Sequence, residues 1–310
     1  MSANIAFVFP GQGSQSTGML AELGASNPVV IDTFAEASQA LGYDLWDLVQ
    51  NDDSGKLNQT HITQPALLAA SVALYRLWLS KSGTKPNLLA GHSLGEYSAL
   101  VCAGALNFSD AIKVVEARGK FMQEAVPSGE GAMAAIIGLD DAAISQACEA
   151  SANGEIVAPV NYNSPGQVVI AGQAAAVDRA MLACKEAGAK RALPLAVSVP
   201  SHCDLMLPAA QKLAQVLADI DVKQPSIPVI QNVDAKVASS SEQIVENLVA
   251  QLHKPVLWTS CVEAIAENGT QVVVECGPGK VLTGLTKRIN KMLTSASIND
   301  AASLTAALEH

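Results

Sequence analysis

A serine between two glycines gives this sequence its clearest chemical signal. The run Gly-His-Ser-Leu-Gly at residues 91–95 follows apolar residues 88–90 and precedes a helix-compatible stretch that reaches Leu106. This is the G-x-S-x-G pattern in its strand, turn and helix context. A tight glycine turn can place Ser93 above a sheet, and the Leu94 amide at the helix start can stabilise an oxyanion. The pattern predicts a nucleophilic serine, and the alternative is a glycine-rich turn with an inert serine.

A serine nucleophile needs a base, and histidine has the right pKa for that role. Three of the five histidines are terminal, in a polar stretch or part of the serine turn itself: His310, His61 and His92. His202 lies where an apolar run ends and a helix begins, a position where α/β active sites gather. Spacing favours His202 over His253 as the base. The alternative is that His202 is a loop histidine that only forms a hydrogen bond with the main chain.

Arg118 occupies the apolar face of a predicted helix. The residues on that face follow at steps of four, three and four: Ala111, Val115, Arg118 and Met122. A buried arginine is costly without an anion, and its planar fork pairs well with a carboxylate. Position alone leaves two alternatives open, an internal ion pair with Glu96 or a side chain whose charged end reaches water.

Two glycine loops invite a nucleotide-binding interpretation that the sequence does not support. After residues 11–15, Ser16 stands where a dinucleotide fingerprint requires glycine, and Met19 stands where a phosphate-binding loop requires lysine. This loop remains either a backbone approach to a substrate oxygen or a plain turn. The second loop, at residues 277–280, is typical of a turn.

Composition limits the classes of function. The chain has 310 residues, 49% hydrophobic content and a formal net charge of -10, which predicts a folded protein without nonspecific affinity for nucleic acid or anionic lipid. Six scattered cysteines with no C-x-x-C pair indicate neither a zinc site nor a disulfide framework. The N-terminus has no basic segment, and we find no run of about 18 apolar residues, so we expect a cytoplasmic protein that does not span a membrane.

The element pattern predicts an α/β protein with an inserted small domain. A strand at residues 5–9 and helices at 29–41 and 65–79 come first. Residues 132–197 then read as strand, helix, strand, strand, helix, strand, the order of a split ferredoxin-like unit. Alternation resumes with strands at 227–231 and 271–275, and the final twenty residues are expected to form a weakly packed helix or a tail.

Taken together, the motifs resemble those of the malonyl-CoA:acyl carrier protein transacylase family. The matching segments are residues 9–15, 91–97, 118–119, 163–167, 201–202, 251 and 277–279. They cover nearly the whole chain, whereas a generic serine hydrolase shares only the serine turn. The resemblance implies a large α/β-hydrolase-like domain (1–127 and 199–310), a ferredoxin-like subdomain (128–198) and an active site in the cleft between them.

The same resemblance implies roles for seven residues. They are the nucleophile Ser93, its base His202, the oxyanion-hole amides of Gln12 and Leu94, the malonyl-carboxylate ligand Arg118, Gln251, whose main-chain carbonyl orients His202, and Asn163, which lines the cleft. A main-chain carbonyl in the place of an aspartate explains why no acidic third member of a triad stands out.

The family further implies ping-pong transfer from malonyl-CoA to acyl carrier protein, with the coenzyme A thioester as a substrate and no cofactor. The carrier is acidic, so docking requires a local basic surface. Two clusters are candidates, each with an ordinary solvated surface as the alternative: Lys185, Lys190 and Arg191, or Lys287, Arg288 and Lys291. The rival functions are a serine thioesterase and a noncatalytic acyl-binding module. The sequence leaves the oligomeric state open, with a monomer as the default expectation.

Overall fold

The computed structural model describes residues 4–82, 85–197 and 199–310, and within them the chain forms two β-sheets flanked by helices. Two parts of the sequence predictions lie outside the described residues. They are residues 1–3 at the N-terminus and Ser198, the last residue of the predicted small domain. The strands are β1 (Ile5–Phe9), β2 (Leu88–Gly91), β3 (Gly131–Ile137), β4 (Val157–Ser164), β5 (Gln167–Gln173), β6 (Arg191–Pro194), β7 (Val229–Ile230), β8 (Val272–Cys276) and β9 (Thr294–Ile298). The helices are α1 (Ala21–Ser26), α2 (Pro28–Leu41), α3 (Leu45–Gln50), α4 (Thr60–Ser82), α5 (Gly95–Cys102), α6 (Phe108–Ala125), α7 (Asp141–Ala152), α8 (Ala174–Glu186), α9 (Leu207–Ala218), α10 (Ser241–Gln251), α11 (Trp258–Glu267), α12 (Val281–Ile289) and α13 (Ala301–Ala307).

The larger sheet is parallel throughout, with the strand order β7-β2-β1-β8-β9. Every residue of β1, β2 and β8 is buried, as expected for parallel strands covered by helices on both faces. Phe9 at the end of β1 pairs with Gly91 at the end of β2. The loops that follow these two strands therefore meet at one edge of the sheet, which is where ligands bind in open α/β folds.

The smaller sheet is antiparallel, with the strand order β4-β5-β3-β6. Helices α7 and α8 pack on one face of it, where apolar side chains of β3 and β5 form a separate core. The other face packs on Cys203 and Leu205, which follow in the chain and belong to the larger part of the molecule. The strand and helix order predicted for residues 132–197 is present, although β6 ends at Pro194 instead of continuing to residue 197.

The C-terminal prediction was wrong in one respect. Instead of only a weakly packed helix or a tail, the last residues include β9, which pairs in parallel with β8, followed by α13. Leu304 and Ala307 of α13 are buried. The sequence Thr-Ser-Ala-Ser-Ile of β9 lacks the apolar run that marks a central strand, because an edge strand pairs on one side only.

Helix α4 runs through the core and begins earlier than predicted. It starts at Thr60, so Pro65 lies beyond the first turn instead of at the helix start. Among the described residues it alone has the length and hydropathy of a membrane span. The search of the sequence for an unbroken apolar run did not find it. However, 89% of its most apolar window is buried within the protein, as in a core helix.

Candidate active site

A cavity of about 290 Å³ opens where the loops after β1 and β2 face the smaller sheet. Gln12 and Ser93 line it from the larger sheet, Met133 and Asn161 line it from the smaller one, and His202 lies in the segment that returns from one to the other. The cavity therefore lies between the two sheets, at the carboxyl ends of β1 and β2.

The turn after β2 presents Ser93 in a strained backbone conformation, with φ of 53° in the left-handed region. Both flanking glycines are required by close packing. A Cβ on Gly91 would collide with the main chain of Gly95, and a Cβ on Gly95 would collide with the carbonyl of Phe9. The Ser93 amide donates to Asn232 Oδ1 at 2.7 Å, and Asn232 Nδ2 donates to Gly91 O at 2.7 Å. Asn232 thus holds the turn from the segment that follows the neighbouring strand β7.

His202 is the base candidate that the structure places beside Ser93. Its Nε2 lies 2.8 Å from Ser93 Oγ, and its Nδ1 lies 2.6 Å from the main-chain carbonyl oxygen of Gln251. A carbonyl oxygen only accepts, so Nδ1 carries the proton and Nε2 is free to accept from the serine hydroxyl. Burial, with the nearby Arg118 charge as a second cause, lowers the pKa of His202 to about 3. The imidazole is therefore uncharged at neutral pH.

The other histidines make different contacts. His253 Nδ1 lies 3.9 Å from an Asp204 carboxylate oxygen, outside the residues that line the cavity. His92 Nε2 lies 2.8 Å from Asn163 Oδ1, so the two side chains connect the serine turn with β4 of the smaller sheet. His92 therefore contacts Asn163, whereas the Ser93 hydroxyl is contacted by His202.

Arg118 is completely buried in α6, and it lies next to the serine. Its Nη1 donates to Gln64 Oε1 at 2.8 Å and its Nη2 donates to Gln251 Oε1 at 2.9 Å. The same Nη2 lies 3.4 Å from Ser93 Oγ. Among the described residues no carboxylate forms an ion pair with this guanidinium, so the direct pair with Glu96 is not formed. The guanidinium therefore contacts neutral groups, which are two side-chain amides, the Ser93 hydroxyl and the Tyr97 ring, and a buried cation in such surroundings favours binding of an anion.

The two amides predicted to stabilise an oxyanion are free of other partners. Across the described segments, no hydrogen bond is donated by the main-chain N–H of Gln12 or Leu94, whereas the N–H of Ser93 is engaged by Asn232. Gln12 lines the cavity after β1, and Leu94 directly precedes α5. An N–H group without a partner can donate to a ligand oxygen, which is the role expected of both.

Sequence reasoning missed two polar residues of this site, Gln64 and Asn232. Both are completely buried. Asn232 stands just after the buried strand β7, and that position at a carboxyl strand end is a signal that could have found it. Gln64 could have been noted as a polar residue within the apolar helix α4. Within the described residues, no group of three or more His, Cys, Asp or Glu side chains is arranged to hold a metal ion.

Comparison with known proteins agrees with this geometry. The chain belongs to the acyl transferase domain family, whose model matches residues 6–305. Within that family, a malonyl CoA-acyl carrier protein transacylase of Salmonella typhimurium is 64% identical over 303 residues, which cover 98% of each chain. The family resemblance predicted from the motifs is thereby confirmed.

Solved structures give the same result. An acyl carrier protein S-malonyltransferase from Vibrio cholerae is 60% identical with a TM-score of 0.96, and the match covers 98% of this chain and all of the other. A malonyl-transacylase solved in complex with a type II PKS acyl-carrier protein is 62% identical with a TM-score of 0.98, and the match covers 99% of each chain.

Proposed function

We propose that this protein transfers a malonyl group from malonyl-CoA to the phosphopantetheine thiol of acyl carrier protein, through an ester on Ser93. The observation that carries the proposal is the pair of Ser93 and neutral His202 beside Arg118, a buried cation without a carboxylate partner. The names of the relatives, including a transacylase solved with a carrier protein, give independent support.

In the first half-reaction, Ser93 Oγ attacks the thioester carbonyl of malonyl-CoA while His202 Nε2 takes the hydroxyl proton. The main-chain carbonyl of Gln251 stabilises the imidazolium that forms, because it accepts the Nδ1 proton at 2.6 Å. The amides of Gln12 and Leu94 donate to the developing oxyanion. When the tetrahedral intermediate collapses, the carbon–sulfur bond breaks and the coenzyme A thiolate takes the proton from His202.

The second half-reaction repeats these steps in reverse with a different thiol. His202 accepts the proton of the phosphopantetheine thiol, and the thiolate attacks the malonyl ester. The ester bond to Ser93 breaks, and His202 returns the proton to the serine oxygen. Arg118 holds the malonyl carboxylate through both halves, which explains a preference for a carboxylated acyl group.

Carrier docking is assigned to one basic surface made of both predicted clusters. Arg191 in β6 and Gln167 in β5 both pair with Ile137, so they lie at one end of the smaller sheet. Arg288 of α12 donates to the Gln167 side chain at 2.5 Å, which brings the second cluster to the same place. Leu195 lines the cavity and lies four residues after Arg191. At the rise of an extended strand, the distance between these two residues is roughly 13 Å.

The finer architecture is also proposed. The strand order of the two sheets supports a large α/β-hydrolase-like domain (1–127 and 199–310) with an inserted ferredoxin-like domain (128–198). All six cysteines carry free thiols, which supports a cytoplasmic location, since thiols are kept reduced there. We propose a monomer that needs no cofactor and binds neither nucleic acid nor membrane.

Incubation with radiolabelled malonyl-CoA, with and without carrier protein, tests the proposal. We expect a stable ester on Ser93 that is passed to the carrier, and no ester on the Ser93→Ala variant. Rapid release of free malonate without a carrier would instead identify a thioesterase. Retention of malonyl-CoA without any ester would identify a binding module.

A further inference from the structure

Glu96 is a buried carboxyl group beside the nucleophile that the steps above do not use. It lies in the first turn of α5, three residues after Ser93, and no part of it is exposed. Its carboxylate accepts three hydrogen bonds, from the Asn232 amide at 2.8 Å, from Gln251 Nε2 at 3.1 Å and from Gln231 Nε2 at 3.2 Å. Because three donors converge on it, the carboxylate is held in one orientation.

The side-chain amide of Gln251 has two different ends, and each has a partner. Nε2 donates to Glu96 and to the main-chain oxygen of Ser93 at 3.0 Å, while Oε1 accepts from Arg118 Nη2 at 2.9 Å. All three groups that contact the Glu96 carboxyl are donors, so its oxygens accept and face the NH₂ end of Gln251. The oxygen end is then directed to the guanidinium. Reversing this amide would place two donors against each other.

We propose that Glu96 is a positioning residue for the transfer reaction. Acting through Gln251, it fixes the guanidinium of Arg118 in the orientation that receives a carboxylated acyl group. This inference rests on the proposed function of Arg118 as the carboxylate site. Its physical basis is that Glu96 stands behind Gln251. The Glu96 carboxyl oxygens therefore order the Gln251 amide without occupying the face of Arg118 that the substrate needs.

Glu96→Gln tests the proposal with almost no change of shape. The new amide keeps one acceptor oxygen but presents an NH₂ group in place of the other, so at least one of the three donors loses its acceptor and the order of the Gln251 amide is weakened. We expect kcat/KM for malonyl-CoA to fall by about tenfold to a hundredfold, the range for one lost hydrogen bond to a charged group. Acylation by acetyl-CoA, which has no carboxylate, should change little. The malonyl to acetyl ratio is therefore the diagnostic quantity.

Glu275→Gln is a matched control. Glu275 is also completely buried, but it accepts from the amides of Leu282 and Thr283 at the start of α12. Replacing it should lower stability without changing the malonyl to acetyl ratio. A changed ratio in this control would mean that any buried carboxyl affects selectivity, and it would overturn the specific role of Glu96.

A double variant tests whether Glu96 acts through Gln251. Gln251→Ala removes the side-chain amide and keeps the main-chain carbonyl that contacts His202. If the path is correct, adding Glu96→Gln to Gln251→Ala changes the malonyl to acetyl ratio little further. Fully additive effects of the two substitutions would overturn the path.

The remaining outcomes are also decisive. Equal losses for both substrates in Glu96→Gln would show that Glu96 acts on the serine turn through Asn232, against the proposal. If that variant does not fold, Glu96→Asp replaces it, with a smaller bias in the same direction expected and an unchanged ratio contradicting the proposal. Labelling of the wild type with malonyl-CoA in parallel distinguishes failure of the proposed function from failure of the proposed role of Glu96. A wild type without a malonyl ester refutes the proposed function, whereas a labelled wild type with unchanged ratios in the variants refutes only this inference.

Discussion

At the scale of single residues, the proposed chemistry depends on an uncharged His202. His202→Ala should slow acylation of Ser93 by about two to four orders of magnitude, the usual contribution of a positioned base. His253→Ala is the control, because His253 contacts Asp204 instead of the serine. Single-turnover labelling with malonyl-CoA measures both variants. The opposite ranking would contradict the choice of base.

We expect Arg118 to determine which acyl group is accepted. In Arg118→Ala a malonyl carboxylate enters a buried site without a partner, at a cost of about 3–5 kcal/mol. This corresponds to roughly a hundredfold to several thousandfold loss in kcat/KM for malonyl-CoA, at about 1.4 kcal/mol per tenfold change. Acylation by acetyl-CoA should hold steady or rise. Equal losses for both substrates would show that Arg118 only supports the fold.

The Arg118 variant also has a predicted pH signature. The positive charge of Arg118 is the second cause, after burial, of the lowered His202 pKa. Without that charge the imidazolium is less disfavoured, so the His202 pKa should rise. The acidic limb of the acetyl-CoA acylation rate should then move to higher pH than in the wild type. An unmoved limb would mean that burial alone sets the His202 pKa.

At the scale of elements, Asn232 joins β7 to the turn after β2. Asn232→Ala leaves the Ser93 amide and the Gly91 carbonyl without this partner, at a cost of about 1–3 kcal/mol of stability for each group. Because the turn itself loosens, malonyl and acetyl acylation should fall together. Asn247→Ala is the control, since Asn247 reaches this network only through Gln231. Urea unfolding and the two acylation rates measure the effect.

At the scale of the whole molecule, two buried groups affect stability with opposite pH dependence. The pKa of His202 is lowered to about 3 from 6.5, mainly by burial. Below pH 6.5 the unfolded chain gains a proton that the folded chain does not, so stability falls as pH falls toward 3. The stability of the wild type relative to His202→Gln should decrease by up to about 1.4 kcal/mol per pH unit in this window.

Glu96 has the opposite effect, because burial raises its pKa to about 7 from 4.5. Between these values the folded chain holds a proton that the unfolded chain has lost. Its contribution to stability is therefore present below pH 4.5 and is lost as pH rises through 7. Relative to Glu96→Gln, the wild type should lose stability as pH rises through this range. Urea unfolding of each pair across pH measures both effects, and parallel curves would contradict the assignments.

The sequence by itself determined the features that depend on neighbouring residues. Residues 91–95 form the predicted turn, and the requirement for Gly91 is local, because a Cβ there would collide with the main chain of Gly95. The buried face of α6, including Arg118, follows from helical periodicity. The element order of the smaller sheet was also predictable from alternating patterns. Strand β9 was not, because its small polar residues resemble those of a loop.

Only the tertiary structure decided which distant residues meet. His202 lies 109 positions from Ser93, and spacing alone left His253 as an alternative, so the family resemblance had to support the choice. The hydrogen-bond partners of Arg118 are Gln64 and Gln251 instead of Glu96. This choice depends on how closely α4, α6 and α10 pack against one another. Local patterns record which face of an element is buried. They do not record which side chain of another element it meets, because that depends on how the whole chain packs.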